Sequence, residues 1–294
     1  MASDTAVSGV ERIGAAFEAA RAEGRAALMP YLMAGYPDAE SSWAVAEAYV
    51  AGGADLVELG IPYSDPLADG PVIHAAATAA LEAGTTFADA LAVGATIADR
   101  VPVVAMMYAN MVYALGATAL AERLAGAGVA GAIVPDLPHE EAGPIRTALA
   151  AAGLALIPLV APTTTPERRQ AICRDAQGFV YVVSVTGVTG ERTGLPPGLE
   201  ALVDEVRLAA PVPAAVGFGV GSPEQAAEVA TISDGVIIGS RLVREAGEGD
   251  GAEGCRSFLA DVRAALAGSW SAADRPSHRA PGRAGPGAGR FPPP

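Results

Sequence analysis

Residues 53–74 read GADLVELGIPYSDPLADGPVIH. The stretch opens with an apolar run, Ala54, Leu56, Val57, Leu59 and Ile61, that encloses the carboxylate Glu58. It turns through Pro62, Tyr63, Ser64, Asp65 and Pro66 and presents a second carboxylate, Asp69, before Gly70-Pro71. An apolar run of this length closed by turn residues predicts a buried strand. Gly-Pro ahead of Val72, Ile73 and an Ala-rich stretch predicts a helix start, since Pro at the first helical position sacrifices no hydrogen bond. Glu58 is thereby placed near the carboxyl end of a strand, and Asp69 on the loop that leads into the next helix. In α/β proteins that end of the sheet carries the chemistry.

The same rhythm extends outward in both directions. Upstream, residues 9–23 space Ile13, Phe17 and Ala20 as a helix leading into the domain. Residues 27–34 (ALMPYLMA) form a first strand, and residues 39–51 a helix with Trp43, Ala46 and Val50 on its buried face. Downstream of the helix at 70–84, apolar runs at 101–108, 130–135 and 154–161 alternate with helices at 116–128 and 140–152. A further helix begins at Thr165-Pro166-Glu167, with Thr as cap and Pro in the first turn. Strands follow at 178–184, 212–216 and 235–238. Ser222-Pro223-Glu224-Gln225 has the form of a capping box, and the last helix covers 253–267. Eight strands, apolar on both faces and each followed by a helical segment, predict a parallel sheet covered by helices. At this length they fit a closed (β/α)₈ TIM barrel over residues 1–267 better than a doubly wound open sheet, which would want GxGxxG after its first strand. Residues 268–294, rich in Pro, Gly, Ala and Arg, are expected to be a disordered tail.

Composition excludes several function classes. All 19 positions counted as Lys or Arg are Arg, which removes lysine Schiff-base chemistry and the Walker A loop. A GC-rich genome accounts for the substitution of Arg for Lys without altering that exclusion. The net charge of −14 disfavours nucleic acid. His74, His139 and His278 lie far apart, and no CxxC or HxxxH is present, so no metal site is expected. No apolar run is long enough to span a bilayer and no secretory signal is read at the start. Cys173 and Cys255 are expected to be reduced thiols in a cytoplasm.

The loops that follow the strands share one face of a barrel and gather two groups of residues. The first is Gly- and Thr-rich: residues 184–194 (SVTGVTGERTG), residues 217–221 (GFGVG), and Gly239-Ser240. Glycines let backbone N–H groups approach a phosphate, and this fold favours phosphate after its seventh and eighth strands. The same glycines also read as ordinary turn residues. The second group is the carboxylate pair. Burial at a strand end should raise the pKa of Glu58, while Asp69 on its loop should stay ionised; two carboxyls pushed apart in this way suit acid/base work. An ion pair with Arg for Glu58, and a capping role beside Gly70 for Asp69, remain open. Tyr31, Tyr108, Tyr181 and Phe218 are suited to wall an aromatic slot or to fill core, and Asn110 and Asp136 to form turns.

The stretch ELGIPYSDPLADGP, with PYLMAGYPD, MMYAN, IVPDLP, SVTGVTG, GFGVGSPEQ and IIGS, resembles the tryptophan synthase α subunit family from about Glu11 to Leu266. The resemblance implies a lyase that cleaves indole-3-glycerol phosphate to indole and glyceraldehyde 3-phosphate without a cofactor of its own. It implies that Glu58 protonates indole C3 and then takes the proton of the glycerol C3′ hydroxyl, while Asp69 holds the indole N–H. Tyr181 matches the tyrosine beside this pair. Tyr31, Tyr108 and Phe218 match the indole site, where the family often has Phe in place of Tyr31. Gly190, Gly219, Gly239 and Ser240 match the phosphate site, and Thr189 the mobile loop. A pyridoxal phosphate-dependent β subunit is implied as partner in an αββα heterotetramer, with residues 62–67 and the loop after the sixth strand at the contact. The long Pro/Arg tail departs from the family. A stand-alone indole-3-glycerol phosphate lyase would share all these residues, and a non-catalytic activator of the β subunit or a different sugar-phosphate barrel would share the fold.

Overall fold

The computed structural model describes residues 7–184, 194–217 and 219–269. Among these, nine parallel strands alternate with helices: β1 Ala27–Met33, β2 Val57–Gly60, β3 Val103–Met106, β4 Gly131–Ile133, β5 Ala155–Ile157, β6 Leu159–Val160, β7 Val180–Val183, β8 Ala214–Gly217 and β9 Gly235–Ile238. The helices are α1 Gly9–Ala22, α2 Ala39–Ala51, α3 Pro71–Glu82, α4 Phe87–Ala95, α5 Ala109–Leu115, α6 Ala117–Gly126, α7 Gly143–Ala151, α8 Pro166–Arg174, α9 Leu199–Ala209, α10 Pro223–Ala230, α11 Ser240–Glu248 and α12 Gly251–Ala265. The strand order is β5-β4-β3-β2-β1-β9-β8-β7-β6. Its two ends are one run of chain. Pro158 has no N–H to give to a ladder and so interrupts that run. Ile157 pairs with Ile133 of β4 on one side, and Leu159 with Tyr181 of β7 on the other. The Pro158 carbonyl still accepts the Tyr181 N–H at 3.0 Å. Counted this way, the eight expected strands close into a barrel.

Closure sorts the strand side chains by parity. Leu28, Leu32, Val57, Leu59, Val103 and Val236 pack outward beneath the helices. Met29, Leu56, Val104, Ile133, Phe179 and Ile237 point inward, where they meet Ile13 and Phe17 of α1. Helix α1 therefore closes the end of the barrel at which the strands begin. The Phe17 and Phe179 rings stand 5.8 Å apart, and the Gly9 N–H donates to the Gly153 carbonyl at 2.7 Å. A Cβ at Gly9 would come within 2.0 Å of the Ala130 carbonyl, so only glycine lets the helix lie this close. With one end filled by α1, access to the lumen is from the carboxyl ends of the strands.

Several sequence expectations need correction. Trp43 is 45% exposed: α2 docks through Val45, Ala46 and Tyr49, with Val50 partly buried against the same core, so of the three residues expected on the buried face only Trp43 turns outward. Helices α4, α5 and α11 were not anticipated, although Thr86 and Asp89 form a reciprocal cap that announces α4. The helix expected over 140–152 divides into a short 3₁₀ turn at His139–Glu141 and α7. Ser222 caps α10 through the Gln225 N–H, but the Gln225 carboxamide oxygen accepts from the Gly221 N–H, so the box is not reciprocal. Thr165 caps α8 with Pro166 in its first turn, as read. The proposed tail lies almost wholly outside the described residues.

The rim beneath the barrel is held by charge. Arg25, 4% exposed, donates to both oxygens of Asp55 at 2.6 and 2.8 Å, and Asp55 also accepts the Leu28 N–H at 2.7 Å. The pair links the start of β1 to the start of β2, with Glu23 and Arg263 adding further ion pairs around it. Removing one partner of a buried pair leaves the other charge desolvated. Asp55→Ala is accordingly expected to lower the unfolding free energy by about 3 kcal/mol in urea titrations; a loss below about 1 kcal/mol would show that the pair is a surface-like contact.

Candidate active site

Glu58 belongs to the inward parity of β2, two residues beyond the core residue Leu56, and its Cα partners are Tyr31 on β1 and Val104 on β3. The strand therefore carries a carboxylate into the lumen one layer above the apolar floor. It is 1% exposed. Neither oxygen finds a hydrogen-bond partner among the described residues, which removes the ion-pair alternative. Burial disfavours the charged form, and the negative charge of Asp69 disfavours it further, so the Glu58 pKa is pushed from 4.5 up to about 8. At neutral pH this group holds its proton. A buried carboxyl with no partner weakens the fold, and such groups concentrate where chemistry uses them.

Asp69 lies two residues before α3 and is half-buried. The N-cap of α3 is Gly70, with no side-chain capping bond, so Asp69 is not spent on the helix start. Its environment is less open than its loop position suggested. Burial raises its pKa, opposed by a hydrogen bond from Tyr108 and by the charge of His74. The two carboxyls thus have unlike surroundings, one fully buried and unpartnered on a strand, the other half-buried on the loop before α3.

Tyrosines surround the pair. Tyr31 and Tyr181 are the inward residues of β1 and β7, and both phenols have their pKa raised well above the ordinary value, first by burial and then by Glu58 and Asp69. Each leans over a neighbouring strand that ends in glycine. A Cβ at Gly60 would lie 2.0 Å from the Tyr31 hydroxyl, and one at Gly217 would lie 2.3 Å from the Tyr181 hydroxyl. The glycines that close β2 and β8 therefore make room for the aromatic walls. Tyr108, just after β3, stacks on Tyr63 with ring centroids 5.2 Å apart, and its hydroxyl accepts the Ala68 N–H at 3.1 Å. Tyr63 and Ile73 had not been singled out. Tyr63 was visible only as an aromatic inside a turn, and Ile73 as one apolar residue among several at the start of α3.

Of the residues assigned to phosphate, Gly219, Gly239 and Ser240 are described, whereas Thr189, Gly190 and the indole-site candidate Phe218 lie outside the described residues. Helix α11 starts at Ser240 with Gly239 as its N-cap and no side-chain bond to its first N–H groups. It shares the lack of a side-chain cap with α3, α5, α6, α7, α9 and α12, whereas α1, α2, α4, α8 and α10 are capped by Ser, Asp or Thr. A Cβ at Gly239 would make only ordinary contact with Ile73 at 3.6 Å and Tyr31 at 3.8 Å, and one at Gly219 would meet nothing within 4 Å. Packing of the protein against itself does not require glycine at either place. Gly239 also lies beside the Tyr31 wall, which brings the two groups of residues together.

Asn110 and Asp136, suited to turns, instead tie separate segments together. Asp136 accepts the Ala109 N–H at 2.8 Å, and Asn110 donates to the Tyr63 hydroxyl at 3.1 Å. A separate cavity of about 500 Å³ opens between α7 and α8, lined by Leu137, His139, Arg146, Thr164 and Arg168 among others. Neither Glu58 nor Asp69 lines it, and its Arg146 and Arg168 are already paired with Asp175 and Glu140. Among the described residues no group of His, Cys, Asp and Glu is placed to hold a metal, and no helix is long and apolar enough to cross a membrane.

Comparison with known proteins agrees with this geometry. The tryptophan synthase alpha chain family matches residues 17–268. The chain is similar to the tryptophan synthase alpha chain of Synechocystis, 44% identical over 86% of this chain and 98% of the relative. It is similar also to that of Carboxydothermus hydrogenoformans, 46% identical over 80% and 88%. Among solved structures, tryptophan synthase of Mycobacterium tuberculosis superposes with a TM-score of 0.81 at 41% identity, covering 87% of this chain and 98% of that one. The alpha chain from Legionella pneumophila gives 0.77 at 34% identity. A closed parallel barrel, a buried and unpartnered carboxyl in its mouth and a match across nearly the whole barrel lead to one conclusion: the chain belongs to the tryptophan synthase α chain family.

Proposed function

We propose that Glu58 and Asp69 are the acid/base pair with which this chain cleaves indole-3-glycerol phosphate. The family fixes the reaction: the α chain is a lyase that releases indole, passes it to the β subunit, and carries no cofactor, pyridoxal phosphate belonging to the β subunit. The residue roles rest chiefly on one observation, a fully buried carboxyl with no hydrogen-bond partner among the described residues, whose burial raises its pKa to about 8. Protonation of indole C3 by Glu58 places positive charge on the ring nitrogen, where the Asp69 carboxylate receives the N–H. The Glu58 carboxylate then removes the proton of the C3′ hydroxyl. The C3–C3′ electron pair returns to the indole ring as the C3′ carbonyl forms, giving indole and glyceraldehyde 3-phosphate with Glu58 reprotonated. The indole itself is the electron sink.

Tyr31, Tyr108, Tyr181 and Phe218 are assigned to the walls around the ring. Gly190, Gly219, Gly239 and Ser240 are assigned to the phosphate, and Thr189 to the segment that closes over it. The uncapped start of α11 supports the phosphate assignment. Residues 1–267 are taken as one catalytic barrel, with the tail 268–294 outside the chemistry. A cytoplasmic location is supported by the two unpaired, buried thiols of Cys173 and Cys255.

Release of indole by the purified chain, alone and with its β subunit, tests the reading directly. Slow release that rises with the partner is the expected result, and brisk release indifferent to the partner would indicate a stand-alone lyase. Glu58→Gln should still bind indole-3-glycerol phosphate by calorimetry while turnover falls about 10²–10⁴-fold; wild-type turnover would remove Glu58 from the mechanism. Because the free protein must present the acid form, kcat/KM should fall as pH rises through about 8.

Stability should follow the same group. Between 4.5 and about 8 the folded chain binds a proton that the unfolded chain has lost, so this contribution is complete at low pH and disappears on passing pH 8. The stability difference between Glu58→Gln and wild type should therefore move in favour of the variant from pH 5 to pH 9, by at most roughly 5 kcal/mol. A difference independent of pH would contradict the raised pKa.

A further inference from the structure

Asp69 sits near the end of the connection formed by residues 61–70, between β2 and α3. That connection is anchored at its ends by backbone bonds, Ile61 N–H to the Met106 carbonyl at 2.9 Å and His74 N–H to the Gly70 carbonyl at 2.9 Å. Between those ends, its hydrogen bonds to more distant described residues both reach the junction of β3 and α5. The Ala68 N–H donates to the Tyr108 hydroxyl at 3.1 Å, and the Tyr63 hydroxyl accepts from the Asn110 amide at 3.1 Å. The Tyr63 and Tyr108 rings stack at 5.2 Å with their planes 25° apart. The junction itself is fixed from β4, where Asp136 takes the Ala109 N–H.

Tyr108 is therefore the contact between a rigid strand end and the loop that carries Asp69. Its phenol oxygen accepts the N–H of Ala68, the residue before Asp69. Its ring is oriented by Tyr63, which lies on the same loop five residues before Ala68 and stacks from the loop side. A ring held by a stack and by a hydroxyl tie to Asn110 is confined in both tilt and translation, which neither contact alone would do.

We propose that Tyr63 is a positioning residue for the cleavage reaction: stacked on Tyr108 and tied to Asn110, it fixes the phenol that holds the Ala68 N–H and so sets where the adjoining Asp69 stands. Tyr63 touches no reacting atom; it acts through Tyr108. The proposal rests on the reading of Asp69 as the group that receives the indole N–H.

The test uses the full chain with its β subunit and follows glyceraldehyde 3-phosphate release, with Tyr63→Leu, Tyr63→Phe, Asp69→Asn and the double variant Tyr63→Leu/Asp69→Asn. Tyr63→Leu removes the ring face and should lower kcat about tenfold to a hundredfold, with KM within about threefold of wild type. Tyr63→Phe keeps the stack and should retain turnover within about threefold. In the Asp69→Asn background the Tyr63→Leu change should cost less than about twofold, since the group it positions has already been disabled. Wild-type turnover in Tyr63→Leu, or an equal loss in both backgrounds, would overturn the proposal. A loss in Tyr63→Phe as large as in Tyr63→Leu would also overturn it, because the stack would then not be the carrier. Wild-type turnover in Asp69→Asn alone would instead overturn the reading of Asp69, which keeps the two failures apart.

Discussion

A parallel sheet that closes on itself must put every second side chain into a lumen only a few residues across, and the filling of that lumen governs the rest of this molecule. At one end the filling is apolar and complete: Ile13 and Phe17 of α1 meet Met29, Leu56, Val104 and Phe179. At the other end the inward positions are Tyr31, Glu58 and Tyr181, one layer higher on the same strands. The floor is therefore packed from below, and among the described residues the pair of carboxyls lies toward the loops at the carboxyl ends of the strands. The closure depends in turn on Pro158, where one strand gives up a ladder bond yet lets its two halves serve different neighbours.

Glu58, the acid/base group proposed above, depends on that architecture. A carboxyl on an exposed loop would be ionised at neutral pH and useless as a proton donor. Held at 1% exposure without a partner, it keeps its proton up to about pH 8. The destabilisation this causes once the proton leaves is tolerated because the surrounding barrel supplies many buried apolar contacts. Gly60 and Gly217 show a second concession to function, since each leaves the end of a strand bare so that a tyrosine from the next strand can lie across it. Both choices weaken local strand propensity and both shape the walls of the same cavity.

Asp69 illustrates the opposite problem, that of placing a charged group accurately from a loop. Loops rarely fix a side chain as well as strands do. Here the phenol of Tyr108 substitutes for missing backbone bonds, and the stack with Tyr63 and the contact to Asn110 extend the rigidity of β3 and β4 into the connection. The outcome is a half-buried carboxyl set on a braced loop beside a fully buried, unpartnered one on a strand. That is the unlike pair that acid/base work requires.

The alternation of apolar runs with capped helical segments was enough to predict the barrel, because strand burial on both faces and helix starts at Thr165-Pro166 or Gly70-Pro71 are written in neighbouring residues. The same local reading placed Glu58 and Asp69 at the catalytic end, since strand ends and turns are local features. What it left open required knowledge of what stands across the sheet. Whether Glu58 meets an Arg, which face of α2 carries Trp43 outward, why Gly60 and Gly217 must be glycine, and what Tyr63 stacks upon all depend on register and closure. The partners lie 27 residues apart for Tyr31 and Glu58 and 45 apart for Tyr63 and Tyr108. Backbone propensity and periodicity act over a few residues along the chain. Desolvation, stacking and steric exclusion act over a few ångströms in space, and only the folded barrel converts the one into the other.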